Sequence, residues 1–147
     1  MIKKILFLSM LILAVPVQAD EIKNCLNQIE TLEKKLKNCK VSYPDNASTA
    51  DMNNATYNST ECATAVAHQI FENYYSKTKE ESKDILNQLV KSVYAYSHHL
   101  QQSSDFARSN YTGTMYNTMA LSTADVMIKD IVQSYIDEIK IECKDRF

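Results

Sequence analysis

Cysteine is the residue type of this 147-residue chain with the most informative chemistry. Its cysteines are Cys25, Cys39, Cys62 and Cys143. No C-x-x-C motif occurs, and no histidine stands at metal-ligand spacing from two of them. An even number of cysteines in a small chain with an export signal is typical of structural disulfides. The sequence therefore predicts two disulfides rather than a redox pair or a metal site.

Helix geometry limits how these cysteines can pair. Cys25 and Cys39 fall on one predicted helix, and its rise separates them by about 21 Å. A disulfide needs Cα atoms within about 7 Å of each other, so these two cannot join. Two pairings remain, and an up-down-up-down bundle of four helices selects between them, because it brings Cys39 beside Cys62 at one end and Cys25 beside Cys143 at the other. The sequence predicts these two disulfides.

The elements that position the cysteines are predicted to be helices. Gly113 is the sole glycine and few prolines occur, which disfavours a β fold built on many tight turns. Hydrophobic periodicity instead favours an all-α, disulfide-stapled bundle of about four helices. The predicted helices cover 22–39, 61–76, 85–100 and 115–142, with Thr60 as N-cap of the second, a loop over 41–59, a charged connection over 77–83 and a turn at Gly113.

The first 19 residues have the pattern of a secretory signal peptide. A cationic start and an apolar run over 5–15 precede small side chains at a cleavage point after Ala19. The apolar run is too short to span a bilayer comfortably, so no membrane anchor is expected after cleavage. We expect residues 20–147 to form a single helical domain, exported to the periplasm or secreted.

Charge and motif content narrow the classes of function. The formal net charge is −2, and it becomes −4 when Lys3 and Lys4 leave with the leader. Mild acidity argues against a nucleic-acid partner and suits a cationic one. We expect His68, His98 and His99 to be surface residues, and no metal or cofactor is predicted, since adjacent helical side chains point about 100° apart. No nucleophile–base or paired-carboxylate pattern is recognisable, so we do not expect an enzyme.

Tyrosines in the two predicted loops are candidates for contact with a protein partner. An amphipathic aromatic ring on an exposed loop suits a protein interface. The alternative is a loop tyrosine partly packed on its own domain. The candidate residues are Tyr43 and Tyr57 in the first loop and Asn110, Tyr111, Thr112, Gly113 and Thr114 in the second.

Two segments resemble the LprI-type family of periplasmic lysozyme-inhibitor-like proteins. Residues 48–55 are similar to the family's T-x-x-[DE]-M-N-x-C-A segment but lack its cysteine. Residues 112–116 and the helix after them are similar to its G-G-[ST] segment and terminal helix. The family's Arg-Asp pair has no counterpart near His98. The resemblance implies a small helical, disulfide-bonded cell-envelope protein and, for some members, inhibition of lysozyme.

Three functions remain as alternatives, and the size, leader and helical class fit the first two equally well. The first is an exported helical protein that binds and inhibits a cationic cell-wall hydrolase such as lysozyme. The second is an immunity protein against a toxin delivered to the periplasm. The third is a structural envelope protein that oligomerises through the apolar stripe of residues 22–39, although packing of this stripe within its own bundle is the simpler interpretation.

Overall fold

The structure, a computed structural model, describes the backbone of residues 3–103 and 114–145 and the side chains of 19–101 and 117–145. All regular structure in these ranges is helical, and the predicted all-α, disulfide-stapled bundle of four helices is confirmed. None of the described helices is long and apolar enough to cross a bilayer. The helices are α1 (Lys3–Asn38), α2 (Thr49–Tyr74), α3 (Lys79–Ser103) and α4 (Thr114–Asp145).

The bundle is built around the pair formed by α2 and α4. These two helices run parallel and form the most extensive interface, while α1 packs on one side of the pair and α3 on the other. Ala63 and Ala67 on α2 and Ala124 on α4 are buried, and such small side chains let helix backbones approach closely. The helix α4 also contacts α1 and α3, so it is the central element of the fold.

The core is one apolar cluster to which all four helices contribute. On α4 the buried positions recur at steps of three and four residues, which places them along one face. The stripe predicted on residues 22–39 packs into this same cluster. The principal large members are Ile29, Leu32 and Leu36 on α1, Val66, Ile70 and Phe71 on α2, Leu86 and Val93 on α3, and Ile128, Val132, Ile136 and Ile139 on α4.

The helix α2 begins twelve residues earlier than the sequence predicts. Ser48 is its N-cap: the Asp51 amide donates to Ser48 Oγ (3.2 Å), and the Ser48 amide donates to Asp51 Oδ2 (2.9 Å). This capping box lowers the pKa of the Asp51 carboxyl and starts the helix within a segment whose Asn, Ser and Thr content is typical of loops. The predicted N-cap at Thr60 is therefore wrong, because Thr60 lies buried within α2.

A second capping box starts α3 within the predicted charged connection. The Glu81 amide donates to Thr78 Oγ1 (3.2 Å), and the Thr78 amide donates to Glu81 Oε2 (2.9 Å). The turn before it is tight, and Ser76 adopts a positive φ of 51°. The connection between α2 and α3 is therefore four residues long, 75–78, and holds these helices antiparallel.

Replacing one isoleucine of α4 tests the position of the core. Ile136 is fully buried and Ile141 is 61% exposed, so Ile136→Ala and Ile141→Ala make the same chemical change in two environments on one helix. We expect Ile136→Ala to lower the free energy of unfolding by about 2–5 kcal/mol and Ile141→Ala by less than about 0.5 kcal/mol. Urea unfolding followed by circular dichroism measures both, and equal losses would contradict this core.

Candidate functional site

The disulfides join α1 to the rest of the bundle at opposite ends. Cys25 pairs with Cys143 of α4 (Cα–Cα 5.9 Å), and Cys39 pairs with Cys62 of α2 (Cα–Cα 5.5 Å). This is the pairing that the bundle geometry predicts, and it leaves none of the four cysteines free. Because Cys39 directly follows the last residue of α1, the second disulfide also fixes the start of the loop that leads to α2.

That loop, residues 39–48, is held at both of its ends. At its start, Ser59 Oγ lies 3.1 Å from the Cys39 carbonyl oxygen and donates to it, beside the Cys39 disulfide. At its end stands the capping box of Ser48. Between them, Tyr43 is 49% exposed, and a backbone hydrogen bond from Ala47 to the Pro44 carbonyl (2.9 Å) forms a turn. The loop therefore presents Tyr43 from a restrained backbone.

A buried carboxylate lies directly beneath this loop. Asp125 of α4 is 2% exposed, and its Oδ1 accepts a hydrogen bond from Thr60 Oγ1 (3.0 Å). Its Oδ2 lies 3.2 Å from Ser59 Oγ and 2.7 Å from Lys129 Nζ. A buried charge is stable only when it is paired and hydrogen-bonded, and Asp125 is both. This cluster therefore connects α2 to α4 and connects α2 to the Cys39 carbonyl.

One cavity lies between α2 and α3. Its volume is about 340 Å³, close to the lower limit for small-molecule sites. Leu86 and Val90 give it an apolar floor, and the charged Glu61 and Lys91 stand at its exposed rim on opposite helices. The lining residues are Tyr57, Thr60, Glu61, Thr64 and His68 of α2 and Leu86, Asn87, Val90, Lys91 and Tyr94 of α3.

Two tyrosines close one end of this cavity. The ring centroids of Tyr57 and Tyr94 are 6.3 Å apart, with an angle of 50° between the ring planes. Tyr57 is 48% exposed, whereas the Tyr94 hydroxyl is buried and has no hydrogen-bond partner among the described residues. Burial raises the pKa of Tyr94, and its interaction with the Thr60 hydroxyl opposes this shift.

A second depression lies on the other side of Tyr57. It has a volume of about 280 Å³ and a mainly polar lining of Asn53, Tyr57, His98, Asn117 and Leu121. Asn53 Oδ1 is also buried without a partner in the described part of the chain. We call the two depressions together with the Tyr57 ring between them the Tyr57 groove. Two of the three buried, unpartnered side-chain atoms found in the described ranges therefore line this one groove.

The three histidines differ in their surroundings. His68 Nδ1 lies 2.7 Å from Ser82 Oγ, but Ser82 is fully buried and its hydroxyl donates to the Lys79 carbonyl (3.3 Å), so it is not open to a substrate. His98 and His99 are exposed. No group of three His, Cys, Asp or Glu side chains in the described ranges is placed to hold a metal ion.

The structure places the predicted contact residues as follows. Tyr43 lies in a loop and is exposed, as predicted. Tyr57 is also exposed, but its placement in a loop is wrong, because the Ser48 cap extends α2 through it. Thr114 is the first residue of α4, and Asn110, Tyr111, Thr112 and Gly113 lie outside the described residues.

Tyr94, Asn53 and Asp125 were not predicted from the sequence. The sequence offers one sign of such residues, which is a polar side chain on the buried face of a helix. Asp125, which lies between the buried Ala124 and Ile128, is an example. Comparison of the chain with protein-family models, with curated proteins and with solved structures gives no match. The function is therefore argued from the geometry and chemistry of these residues.

Neutralising the buried carboxylate tests the cluster beneath the loop. We expect Asp125→Asn to lower the free energy of unfolding by about 1–3 kcal/mol, because it removes the ion pair with Lys129 and turns an amide toward the donors Ser59 and Thr60. Asp130→Asn is the matched control, since Asp130 is exposed on the same helix. Thermal unfolding measures both variants, and an Asp125→Asn protein as stable as Asp130→Asn would contradict the role of the cluster.

Proposed function

We propose that this chain is an exported binding protein that works in the periplasm or outside the cell after residues 1–19 are removed. Both disulfides support export, because such bonds persist in oxidising compartments and are rare in the cytosol. The leader pattern supplies the route. The predicted cleavage point lies six residues before Cys25, so cleavage would retain both disulfides.

The partner that we propose is a cationic cell-wall hydrolase, with lysozyme as the leading candidate. A net charge of −4 after cleavage would speed the encounter with a basic protein. The resemblance of residues 48–55 and 112–116 to lysozyme-inhibitor-like proteins supports the same partner. An immunity protein against a periplasmic toxin would share the export and the charge, and would differ in its partner.

The observation that carries this proposal is the restrained 39–48 loop. Its disulfide at Cys39 and its capping box at Ser48 fix both ends, so little conformational entropy is lost when a partner binds. Tyr43 is exposed on it, and tyrosine is one of the residues that most often dominate binding energy in interfaces. Exposed Asp45 lies beside it and adds negative charge for a basic partner.

The alternative of a structural envelope protein that oligomerises through residues 22–39 has less support than a binding function. Oligomerisation through residues 22–39 would require an apolar stripe outside the bundle. Ile29, Leu32 and Leu36 are instead buried in the cluster shared with α2 and α4. This leaves the binding function as the proposal that best fits the exposed residues.

Lysozyme-driven clearing of a cell-wall suspension tests the proposal. We expect the purified mature protein to slow clearing, and to do so less at high salt, because exposed charges are screened. Tyr43→Ala should raise the concentration for half inhibition at least about tenfold, which corresponds to about 1.4 kcal/mol. Tyr96→Ala is the matched control, since Tyr96 is 52% exposed on α3.

Two results would overturn this assignment. One is unchanged clearing at large molar excess over several lysozyme types. The other is equal loss of inhibition in the Tyr43→Ala and Tyr96→Ala proteins, which would remove the 39–48 loop as the contact surface.

A further inference from the structure

We propose that the Cys39–Cys62 disulfide is a thiol–disulfide exchange site, at which an external dithiol attacks Cys62 and reversibly opens the bond. The partner that fits this chemistry is an oxidoreductase with a Cys-x-x-Cys pair, because such pairs exchange with accessible disulfides. The Cys25–Cys143 disulfide stays closed in the same reaction and keeps α1 fastened to the bundle.

The two disulfides differ in how far a thiol in solution can reach them. A thiolate must approach one of the two sulfurs directly, so burial of both cysteines slows the exchange. Cys143 is 1% exposed, and Cys25 is half-buried against the core cluster. Cys39 is also buried, but its partner Cys62 is exposed on the outer face of α2. Cys62 is therefore the cysteine that a reagent reaches most easily.

The helix surface around Cys62 is open. A helical side chain lies over the turn that precedes it, so the Cys62 side chain lies over the turn that contains Asn58. Ala65 occupies the same face on the following turn. Both Asn58 and Ala65 are exposed, and the side chain of Ala65 is only a methyl group. A reagent as large as a protein can therefore approach Cys62 from solvent.

The surroundings of Cys39 suit the sulfur that leaves. Cys39 Sγ lies 3.3 Å from the Lys35 carbonyl oxygen, to which the S–H of the reduced residue can donate. This carbonyl is one of the last four of α1, which have no amide within the helix to accept from. Lys40 is exposed, follows Cys39 and lines the same depression, and its positive charge favours a departing thiolate.

The exchange has two steps, which together transfer two electrons to the protein. First, a thiolate of the dithiol attacks Cys62 Sγ, so a mixed disulfide forms, the bond to Cys39 breaks, and Cys39 leaves as a thiolate that takes up a proton. The second thiolate of the reagent then attacks the reagent sulfur of the mixed disulfide, and Cys62 leaves and takes up a proton. The reagent becomes a disulfide and has lost two electrons and two protons.

Opening this bond frees the start of the 39–48 loop and leaves the bundle folded. The core cluster and the Cys25–Cys143 bond still hold α1, and the hydrogen bond from Ser59 Oγ to the Cys39 carbonyl (3.1 Å) remains. A loop with one restraint fewer loses more entropy when a partner binds, so we expect the reduced protein to inhibit a hydrolase less. This consequence rests on the proposed function, whereas the order of reduction does not.

Timed reduction of the oxidised mature protein by dithiothreitol, under native conditions, tests the order of opening. Iodoacetamide stops the reaction, and tryptic mapping shows which cysteines are alkylated. We expect Cys39 and Cys62 to be alkylated at least about tenfold faster than Cys25 and Cys143, while circular dichroism retains its helical signal. Equal rates, or faster opening of Cys25–Cys143, would overturn the proposal.

A trapping oxidoreductase, in which alanine replaces the second cysteine of Cys-x-x-Cys, tests the point of attack. It cannot complete the second step, so it should accumulate as a mixed disulfide with Cys62. A mixed disulfide with Cys39, Cys25 or Cys143 instead, or the absence of any, would overturn the assignment of Cys62.

Covering Cys62 with a larger side chain tests the role of access. Ala65→Phe places a ring over the turn that contains Cys62, so it should slow reduction of Cys39–Cys62 at least about threefold and leave that of Cys25–Cys143 unchanged. Asn73→Phe is the matched control, since Asn73 is exposed further along α2. Equal rates in the two variants would contradict attack at Cys62.

Loop release and inhibition separate this proposal from the hydrolase proposal. Trypsin should cut the half-reduced protein after Lys40 at least about fivefold faster than the oxidised protein, whether or not either form inhibits lysozyme. Unchanged cleavage would overturn the release of the loop, and equal inhibition by the two forms would overturn its effect on the partner. If neither form slows lysozyme-driven clearing, the hydrolase proposal fails and the exchange site stands.

Discussion

Two disulfides fasten α1, at Cys25 and directly after its last residue, to helices that carry the core. The helix buries only a narrow stripe, in which Ile29, Leu32 and Leu36 are the fully packed positions, and its interfaces with α2 and α4 are smaller than the one between α2 and α4. In the chain-entropy model, each disulfide stabilises the folded state by restricting the unfolded chain. For the separations of 118 and 23 residues found here, the model gives roughly 3–5 kcal/mol for each bond, before allowance for the fact that one loop lies inside the other. An ion pair between Lys140 and Glu33 (2.7 Å) adds to the contact and lowers the pKa of the Glu33 carboxyl.

The same constraint explains where the exposed functional candidates lie. The Asp125 cluster holds α2 against α4, and the Cys39–Cys62 disulfide fixes the start of the 39–48 loop on α2. The interface between α2 and α3 is less extensive, and the Tyr57 groove occupies the space between them. The tightly held interface between α2 and α4 therefore supports the restrained 39–48 loop. The less extensive interface between α2 and α3 leaves a preformed cavity on the other side of α2. Both features favour binding with little reorganisation.

Helix content and cysteine geometry could be predicted from the sequence because they follow from local rules. Scarce glycine, hydrophobic spacing and the rise of a helix are enough to give four helices and one pairing of Cys25, Cys39, Cys62 and Cys143. The predicted 41–59 loop is correct only as far as Ser48, because composition outweighed the Ser48–Asp51 capping box, and this misplaced Tyr57. The buried role of Asp125 and the unpartnered Tyr94 hydroxyl depend on neighbours from other helices, which no local pattern contains.

The most direct test of this account is a non-reducing tryptic map of the mature protein purified from the periplasm. Trypsin cleaves at Lys35 and Lys37 between Cys25 and Cys39 and at Lys40 between Cys39 and Cys62, so the four cysteines fall on four different peptides. The account predicts one linked peptide pair containing Cys25 and Cys143, a second containing Cys39 and Cys62, and no reaction with a thiol reagent before reduction. A peptide pair joining Cys25 to Cys39 or Cys62, or four reactive thiols in the native protein, would contradict it.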